Sequence, residues 1–475
     1  MTDWSALQRG VAGARRRFLG LLNDPATVQR RQLAGILQAN AASEVGRKYR
    51  FATIRSEAEF RDIVPVQRYE DVHESMERIA GGSPGVLTVA PVVAFELTGG
   101  STGAPQAFGG GADDSPARNS GAKWIPLTEP ALHSIQRAVR VWLDDLITAR
   151  PGMVGGRMYW PVSPVGRGPS TTRAGIPIGM PNDAAYLGPG LQAAIAPLLV
   201  SALDSELTFI SVWSPTFLLE LWRDQEAAPK SLWPRLDTIS CWTSAASARF
   251  ASQLRRLAPL VYIQGKGLLA TEGVVTIPLE GQAHPVLAIE SNFYEFLDSA
   301  GNCKCAWELD QGSEYDVLLT THGGLYRYAL GDRVRVAGFA GGTPLLEFLG
   351  RGAMASDLVG EKLSDPFVTA CLTGLNGFAM IAPALEPHPH YVLFVDEQEH
   401  AQSLGQRVEQ RLRENPQYAY ARDRSQLSPL EVVLVDRPMD RYLAHCVASG
   451  QRLGDIKPVS LSNRADWSEI FANPI

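Results

Sequence analysis

Cysteine is scarce in this chain. There are 5 in 475 residues (Cys241, Cys303, Cys305, Cys371 and Cys446), an odd number, and only Cys303 and Cys305 lie close together. That pattern argues against a disulfide framework and fits a reducing compartment. Cys303-Lys304-Cys305 could be half of a metal site, but no second Cys or His pair has matching spacing. Basic residues are not in excess either. Lys and Arg number 44 against 50 Asp and Glu, a formal net charge of −6. Nucleic acids and anionic membranes are gripped by basic faces, so we expect neither as a partner. No run approaches the roughly 20 apolar residues of a membrane span. Met1-Thr2-Asp3-Trp4 opens on no apolar signal core. The expectation is a cytoplasmic protein without a membrane span.

What is present is an ordinary globular composition, 45% hydrophobic and 20% charged. At roughly 150 residues per domain the length allows two or more domains. Residues 4–45 read as two helices parted at Asp24-Pro25, with Val28, Leu33, Ile36 and Leu37 at helical spacing. Residues 60–80 read as strand, turn and short helix, and 86–97 as a buried strand. Residues 104–121 are poor in apolar side chains and rich in turn formers, which predicts a surface excursion. Helices are expected over 130–149, 191–204 and 216–225, with loops and short strands over 150–190. Short β-rich runs fill 236–348, clearest at 317–321, 334–339 and 345–349. After Arg351 the texture changes to an α+β unit, with helices at 364–375 and 400–414 and strands at 391–395 and 430–435. We therefore expect an α/β fold in two parts, a large domain of residues 1–350 and a small α+β domain of residues 351–475.

Four motifs carry chemistry. Thr98-Gly99-Gly100-Ser101-Thr102-Gly103 follows the 86–97 run, and a strand leading into such a turn can aim backbone N–H groups and hydroxyls at an anion. The same residues fit G-x-S-x-G, the nucleophile elbow of serine hydrolases, with Ser101 as nucleophile. They do not fit a nucleotide-binding loop of the G-x-x-x-x-G-K-[ST] type. Thr271-Glu272 pairs a hydroxyl with a carboxylate, oxygen donors suited to Mg²⁺ beside phosphates. Gly331-Asp332 could point a carboxylate at the vicinal hydroxyls of a ribose, or be a plain hairpin turn. Gly454-Asp455-Ile456-Lys457-Pro458 offers a loop lysine that could neutralise charge on a phosphoryl group or simply face solvent.

Taken in order, these motifs lie within a chain that resembles the acyl acid amido synthetases of the auxin-conjugating Gretchen Hagen family, in the adenylate-forming superfamily. The resemblance runs through ILQANAASEVGRKYRF (36–51), VPVQRYEDVHESMERIAGG (64–82), LTGGSTG (97–103) and AKWIPLT (122–128). It continues through YDVLLTTHGGLYRYALGDRVRVAGF (315–339), its most specific segment, then LVGEKLSD (358–365), NPQYAYARDRSQLSPLEVVLV (415–435) and GDIKP (454–458).

The resemblance implies a large adenylate-forming domain of mixed β-sheets flanked by helices, plus a small mobile C-terminal domain. It implies an ATP-dependent, AMP-forming ligase that adenylates a carboxylic acid and passes the acyl group to an amine such as an amino acid, with Mg²⁺. Thr98, Gly100, Ser101, Thr102 and Gly103 would hold the ATP phosphates, and Lys123 would match the end of that loop. Thr271 and Glu272 would hold Mg²⁺ and AMP, Asp332 the ribose, and Arg351 would lie at the hinge near the nucleotide. Lys457 would reach the α-phosphate. The acid pocket would draw on residues 160–215, with Ile176, Ile178, Tyr186 and Trp213 as candidates.

The chain departs from the family pattern in three places. Gly99 stands for a Ser, residues 104–121 separate the loop from Lys123, and Leu268 stands where relatives have an aromatic. Three other functions stay open on the sequence. They are a CoA or carrier-protein ligase sharing the first step, a serine hydrolase using Ser101, and a binding protein without turnover.

Overall fold

A computed structural model describes residues 4–97, 123–160, 206–222, 233–352, 355–396, 401–449, 451, 454 and 456–472. The N-terminal arm is helical, as its periodicity predicts, but in three pieces: Trp4–Val11, Ala14–Leu21 and Pro25–Asn40. Gly13, at φ +80°, breaks the first expected helix in two. Asp24 caps the third by accepting from the Thr27 N–H, with Pro25 at the first helical position.

The strand expected near residue 60 is instead the helix Glu57–Ile63, started by the Ser56 side chain accepting from the Glu59 N–H. It is followed by the helix Tyr69–Ala80. A local cap outweighed the apolar pattern there. The 86–97 run is also revised. Val86 and Leu87 are buried, yet strand β1 begins only at Val92 (Val92–Leu97), just past Pro91. Proline cannot donate to a ladder.

β1 pairs antiparallel with β2 (Trp124–Thr128), Leu97 facing Trp124. β2 leads into the long helix Glu129–Ala149, whose N–H at Ala131 is capped by Thr128. Next comes a parallel sheet ordered β3 (Arg157–Tyr159), β4 (Leu207–Ser211), β5 (Thr238–Cys241) and β6 (Tyr262–Gly265). Strands β7 (Leu269–Ala270) and β8 (Gly273–Val274) form a small hairpin around Thr271-Glu272.

The seven-stranded antiparallel sheet is built from β9 (Thr276–Ile277), β10 (Val286–Leu287), β11 (Phe293–Leu297), β12 (Cys303–Cys305), β13 (Glu314–Thr320), β14 (Tyr328–Ala340) and β15 (Thr343–Arg351). Its order is β12-β11-β13-β14-β15-β10-β9. Its apolar face, the long helix and the N-terminal helices share one core containing Leu7, Phe18, Leu143, Tyr294 and Val334. A second core packs Leu207, Ile239, Leu254 and Trp233 beside the parallel sheet.

Past β15 come the short pair β16 (Ala355–Ser356) and β17 (Leu363–Ser364), then the three-stranded sheet β18 (Ala379–Ala384), β19 (His390–Asp396) and β20 (Glu431–Val435). One core packs around Ile381, Leu393 and Val408, another around Met380, Phe394 and Trp467. β18 and the helix Pro438–Ala448 were not anticipated from sequence. The architecture is the expected mixed α/β body with an α+β portion at its C-terminal end. Among the described residues no helix is long and apolar enough to cross a membrane.

Candidate active site

Gly331-Asp332 is not a hairpin turn. It lies inside β14, where the register with β13 jumps from Asp316–Arg333 to Leu318–Ala329. The extra residues form a bulge, and Gly331 takes φ +82° to make it. Such a bulge re-aims the following side chain. Asp332 faces Arg351 at the end of β15, with Nε 3.8 Å from Oδ1. The run just before it ties this strand down. The Tyr326 hydroxyl donates to the Leu87 carbonyl at 2.7 Å. The Arg327 guanidinium donates to the carbonyls of Arg61 and Val64 at 3.1 and 2.8 Å.

Four of the named groups share one electrostatic neighbourhood with Asp332. Burial raises its carboxyl above the usual range, while the charges of Arg351, Lys457 and Lys123 pull it back. Burial also raises Glu272, opposed by Arg351 and Lys123 and reinforced by Asp332. Thr271 and Glu272 border a small cleft with Gly273, Thr321, Gly323 and Pro126. Lys123 stands immediately before β2, its ammonium 5.7 Å from the Tyr69 ring. Because Leu97 and Trp124 are ladder partners, the chain leaves and re-enters the hairpin at one place. Residues 104–121, expected to form a surface excursion, lie outside the described residues.

Lys457 arrives from the C-terminal portion. Buried Ile456 anchors the residue before it, and the Tyr442 hydroxyl donates to its carbonyl at 2.9 Å. Its ammonium lies 4.8 Å from the centre of the Trp242 ring. The structure therefore brings Lys123, Thr271, Glu272, Asp332, Arg351 and Lys457 to one place. Thr98, Gly100, Ser101, Thr102, Gly103, Ile176, Ile178 and Tyr186 lie outside the described residues. Trp213, the remaining pocket candidate, is described and leans on Trp242 with ring centres 5.8 Å apart. Leu268 is core-packed and presents no ring. Sequence reasoning missed Trp242, a lone aromatic in a Ser- and Ala-rich run, and Lys266, considered below.

The donor set fits Mg²⁺, a hard cation that takes a carboxylate and phosphate oxygens. Glu272, with the Thr271 hydroxyl beside it, would hold it. The raised carboxyls have a measurable consequence. A carboxyl whose pKa is raised by folding destabilises the folded state at any pH above its unfolded value. Asp332→Asn should thus leave the melting temperature of the ligand-free protein at pH 7 equal or higher. Nucleotide affinity should fall at least about tenfold, as for loss of a charge-assisted hydrogen bond. Calorimetric scanning and nucleotide titration check both; a large drop in melting temperature would contradict this account of Asp332.

Sequence models of one family match three stretches: the GH3 family N-terminal domain at residues 14–108, its central domain at 285–351 and its C-terminal domain at 365–466. Together they cover more than half of the chain. A "Probable indole-3-acetic acid-amido synthetase GH3.6" of Oryza sativa subsp. japonica is 30% identical over 165 residues, 31% of this chain and 34% of its own length. The chain thus spans about a third of the length of the first curated relatives it matches. Among solved structures, AtGH3.15 acyl acid amido synthetase in complex with 2,4-DB has a TM-score of 0.80 at 16% identity, covering 99% of this chain and 97% of its own. A 2-hydroxyisobutyryl-CoA ligase in the postadenylation state follows at TM-score 0.61 and 14% identity, covering 95% and 94%. At such identities the likeness is one of fold, that of the adenylate-forming ligases. With its three family stretches in order over more than half of its length, the chain belongs to the GH3 family.

Proposed function

We propose that this protein is an ATP-dependent, AMP-forming ligase that joins a small carboxylic acid to an amine, an amino acid by family analogy. The observation that carries the reading is the convergence of Lys123 and Arg351 on the carboxyls of buried Asp332 and half-buried Glu272, with Lys457 also reaching Asp332, beside the Thr271 cleft.

In the first step a carboxylate oxygen attacks the α-phosphorus of ATP. The bond to the bridging oxygen breaks and pyrophosphate leaves. Nucleophile and target are both anionic, so the site must supply positive charge and in-line placement. Lys457 stands against the developing charge on the α-phosphoryl group. Asp332 accepts from the ribose hydroxyls, and Arg351 orients its carboxyl and opposes the effect of burial on it. Thr98, Gly100, Ser101, Thr102 and Gly103 hold the β- and γ-phosphates, and Lys123 neutralises them from the other end of the loop. Mg²⁺, held through Glu272, supplies charge neutralisation when bound.

In the second step the amine attacks the acyl carbonyl, AMP leaves and the amine loses a proton. The unit of residues 351–475 pivots near Arg351-Gly352 between the steps, so that Lys457 serves only the first. Five free thiols fit a reducing cytoplasm.

A pyrophosphate-release screen over aromatic and aliphatic acids, followed by product mass spectrometry with pooled amino acids or with CoA, tests the reading. Acid-dependent release and an amide product are expected. A thioester product would move the protein to the CoA ligases. ATP-independent ester cleavage abolished in Ser101→Ala would replace the reading with the hydrolase; β1 lies in an antiparallel pair, unlike an elbow strand.

A further inference from the structure

All four strands of the parallel sheet end in a large or charged side chain at the same edge. Trp160 follows β3, Trp213 lies two residues past β4, Trp242 follows β5 and Lys266 follows β6. Open α/β sheets bind ligands at the carboxyl ends of their strands. The Lys266 ammonium lies 5.0, 5.7 and 5.3 Å from the ring centres of Trp142, Trp160 and Trp213. Lys266 is 6% exposed. The one hydrogen bond of its ammonium among the described residues goes to the Ser211 hydroxyl at 2.7 Å, and no carboxylate there pairs with it.

A buried ammonium without a counter-ion is costly, and three rings and one hydroxyl compensate for it only partly. A second group is unsatisfied beside it. Ser211 and Ser240 are ladder partners on β4 and β5, so their side chains share a face. The Ser240 hydroxyl is fully buried and has no hydrogen-bond partner among the described residues. Gln264, next in that row, is already taken by the Trp142 indole and Glu280.

The box is joined to the proposed adenylation site. Trp213 leans on Trp242, and Trp242 carries the Lys457 ammonium. An acid lying along these rings would place one end at Lys457 and the other at Lys266.

We propose that Lys266, with Ser240 beside it, recognises an oxygen acceptor on the acid substrate at the end remote from the carboxylate that is activated. The substrate class is then a flat-bodied acid carrying a second carboxylate or a hydroxyl at its far end. This rests on the adenylation reading for the orientation of the acid, while binding itself can be measured without ATP. Burial holds the Lys266 ammonium down to about 7, and the one titratable group acting on it among the described residues, Cys241 on β5, is pushed up to about 12. An acceptor that needs the ammonium will therefore draw a proton in when it binds above neutral pH.

The test titrates the full chain calorimetrically with benzoic, 4-hydroxybenzoic and terephthalic acids, in wild type and in Lys266→Met, without ATP. At least one acceptor-bearing acid should bind at least tenfold tighter than benzoic acid, with proton uptake at pH 8. The preference should collapse in Lys266→Met while benzoic acid binds as before or better. Whichever of the two acids prevails says whether the acceptor is a carboxylate or a hydroxyl. Equal affinities for all three acids, no binding of either acceptor-bearing acid at millimolar concentration, or an unchanged preference in Lys266→Met overturns the proposal. If the variant does not fold, the wild-type preference and its proton uptake decide alone. Selective binding without pyrophosphate release would sink the adenylation reading and leave Lys266 standing. Release with all three acids and no selectivity would do the reverse.

Discussion

Lys457→Ala lowers acid-dependent pyrophosphate release by roughly 100-fold, the usual cost of removing one preorganised donor from a developing oxyanion. Amide formation from a chemically supplied acyl adenylate stays within a few-fold of wild type. The asymmetry is the informative part. Lys457 reaches the site from the C-terminal portion, with its charge felt at Asp332 and its ammonium on Trp242. Its backbone is held by buried Ile456 and by the Tyr442 hydroxyl, so alanine removes the charge without loosening the segment. If the 351–475 unit pivots between steps, the second step proceeds without this lysine. Equal losses in both half-reactions would show that Lys457 stays in place throughout. Unchanged pyrophosphate release would remove it from the mechanism.

Glu295→Ala destabilises the fold by about 3–5 kcal/mol, the range for stripping one partner from a buried ion pair. Glu295, on β11, is 1% exposed. It accepts from Arg61 Nε and Arg327 Nε, both at 3.0 Å, and from the Cys303 thiol at 3.2 Å. Alanine would leave the buried Arg327 guanidinium without its carboxylate, and the half-buried Arg61 with Glu308 alone at 3.5 Å. The loss matters for function because Arg327 also holds the helix Glu57–Ile63 against the start of β14, four residues before the Asp332 bulge. Urea titration followed by tryptophan fluorescence reads the effect. An unchanged midpoint would mean that water replaces the carboxylate at little cost. Replacing Glu295 and Arg327 together by Met should recover part of the loss, because the uncompensated charge goes with its partner.

The knot around Arg327 shows how a motif can be legible while its meaning is not. GLYRYALGD lies within residues 315–339, the most specific segment of the resemblance, and Asp332 can be picked from it. Nothing in the run of letters separates Asp332 from Arg327, which braces the strand, or from Tyr326, which pins Leu87. Gly331 read equally well as a hairpin turn. That it bulges a strand instead follows from β13 being its ladder partner, about ten residues upstream.

Local choices were open to reading wherever a local interaction decides them. Asp24-Pro25 starts a helix because its carboxylate caps the Thr27 N–H three residues on. The helix Glu129–Ala149 follows from 3.6-residue periodicity and a Thr128 cap. Where pattern and cap competed, as at Ser56, the cap prevailed, because it satisfies a backbone donor that the alternative leaves open.

By itself the sequence determined the order of the chemical groups, the helix starts set by caps, and the scarcity of thiol and basic charge. Tertiary structure alone decided which of those groups meet. Lys123, Glu272, Asp332, Arg351 and Lys457 span more than 300 residues of chain, and their proximity depends on the β1–β2 hairpin, the bulge in β14 and the seating of the C-terminal portion. The tryptophans and lysine at the carboxyl edge of the parallel sheet come from four separate strands, and no spacing rule links them. Burial and Coulomb interaction are through-space quantities, summed over neighbours that folding chooses, so the raised carboxyls and the enclosed ammonium of Lys266 exist only once the chain has closed around them.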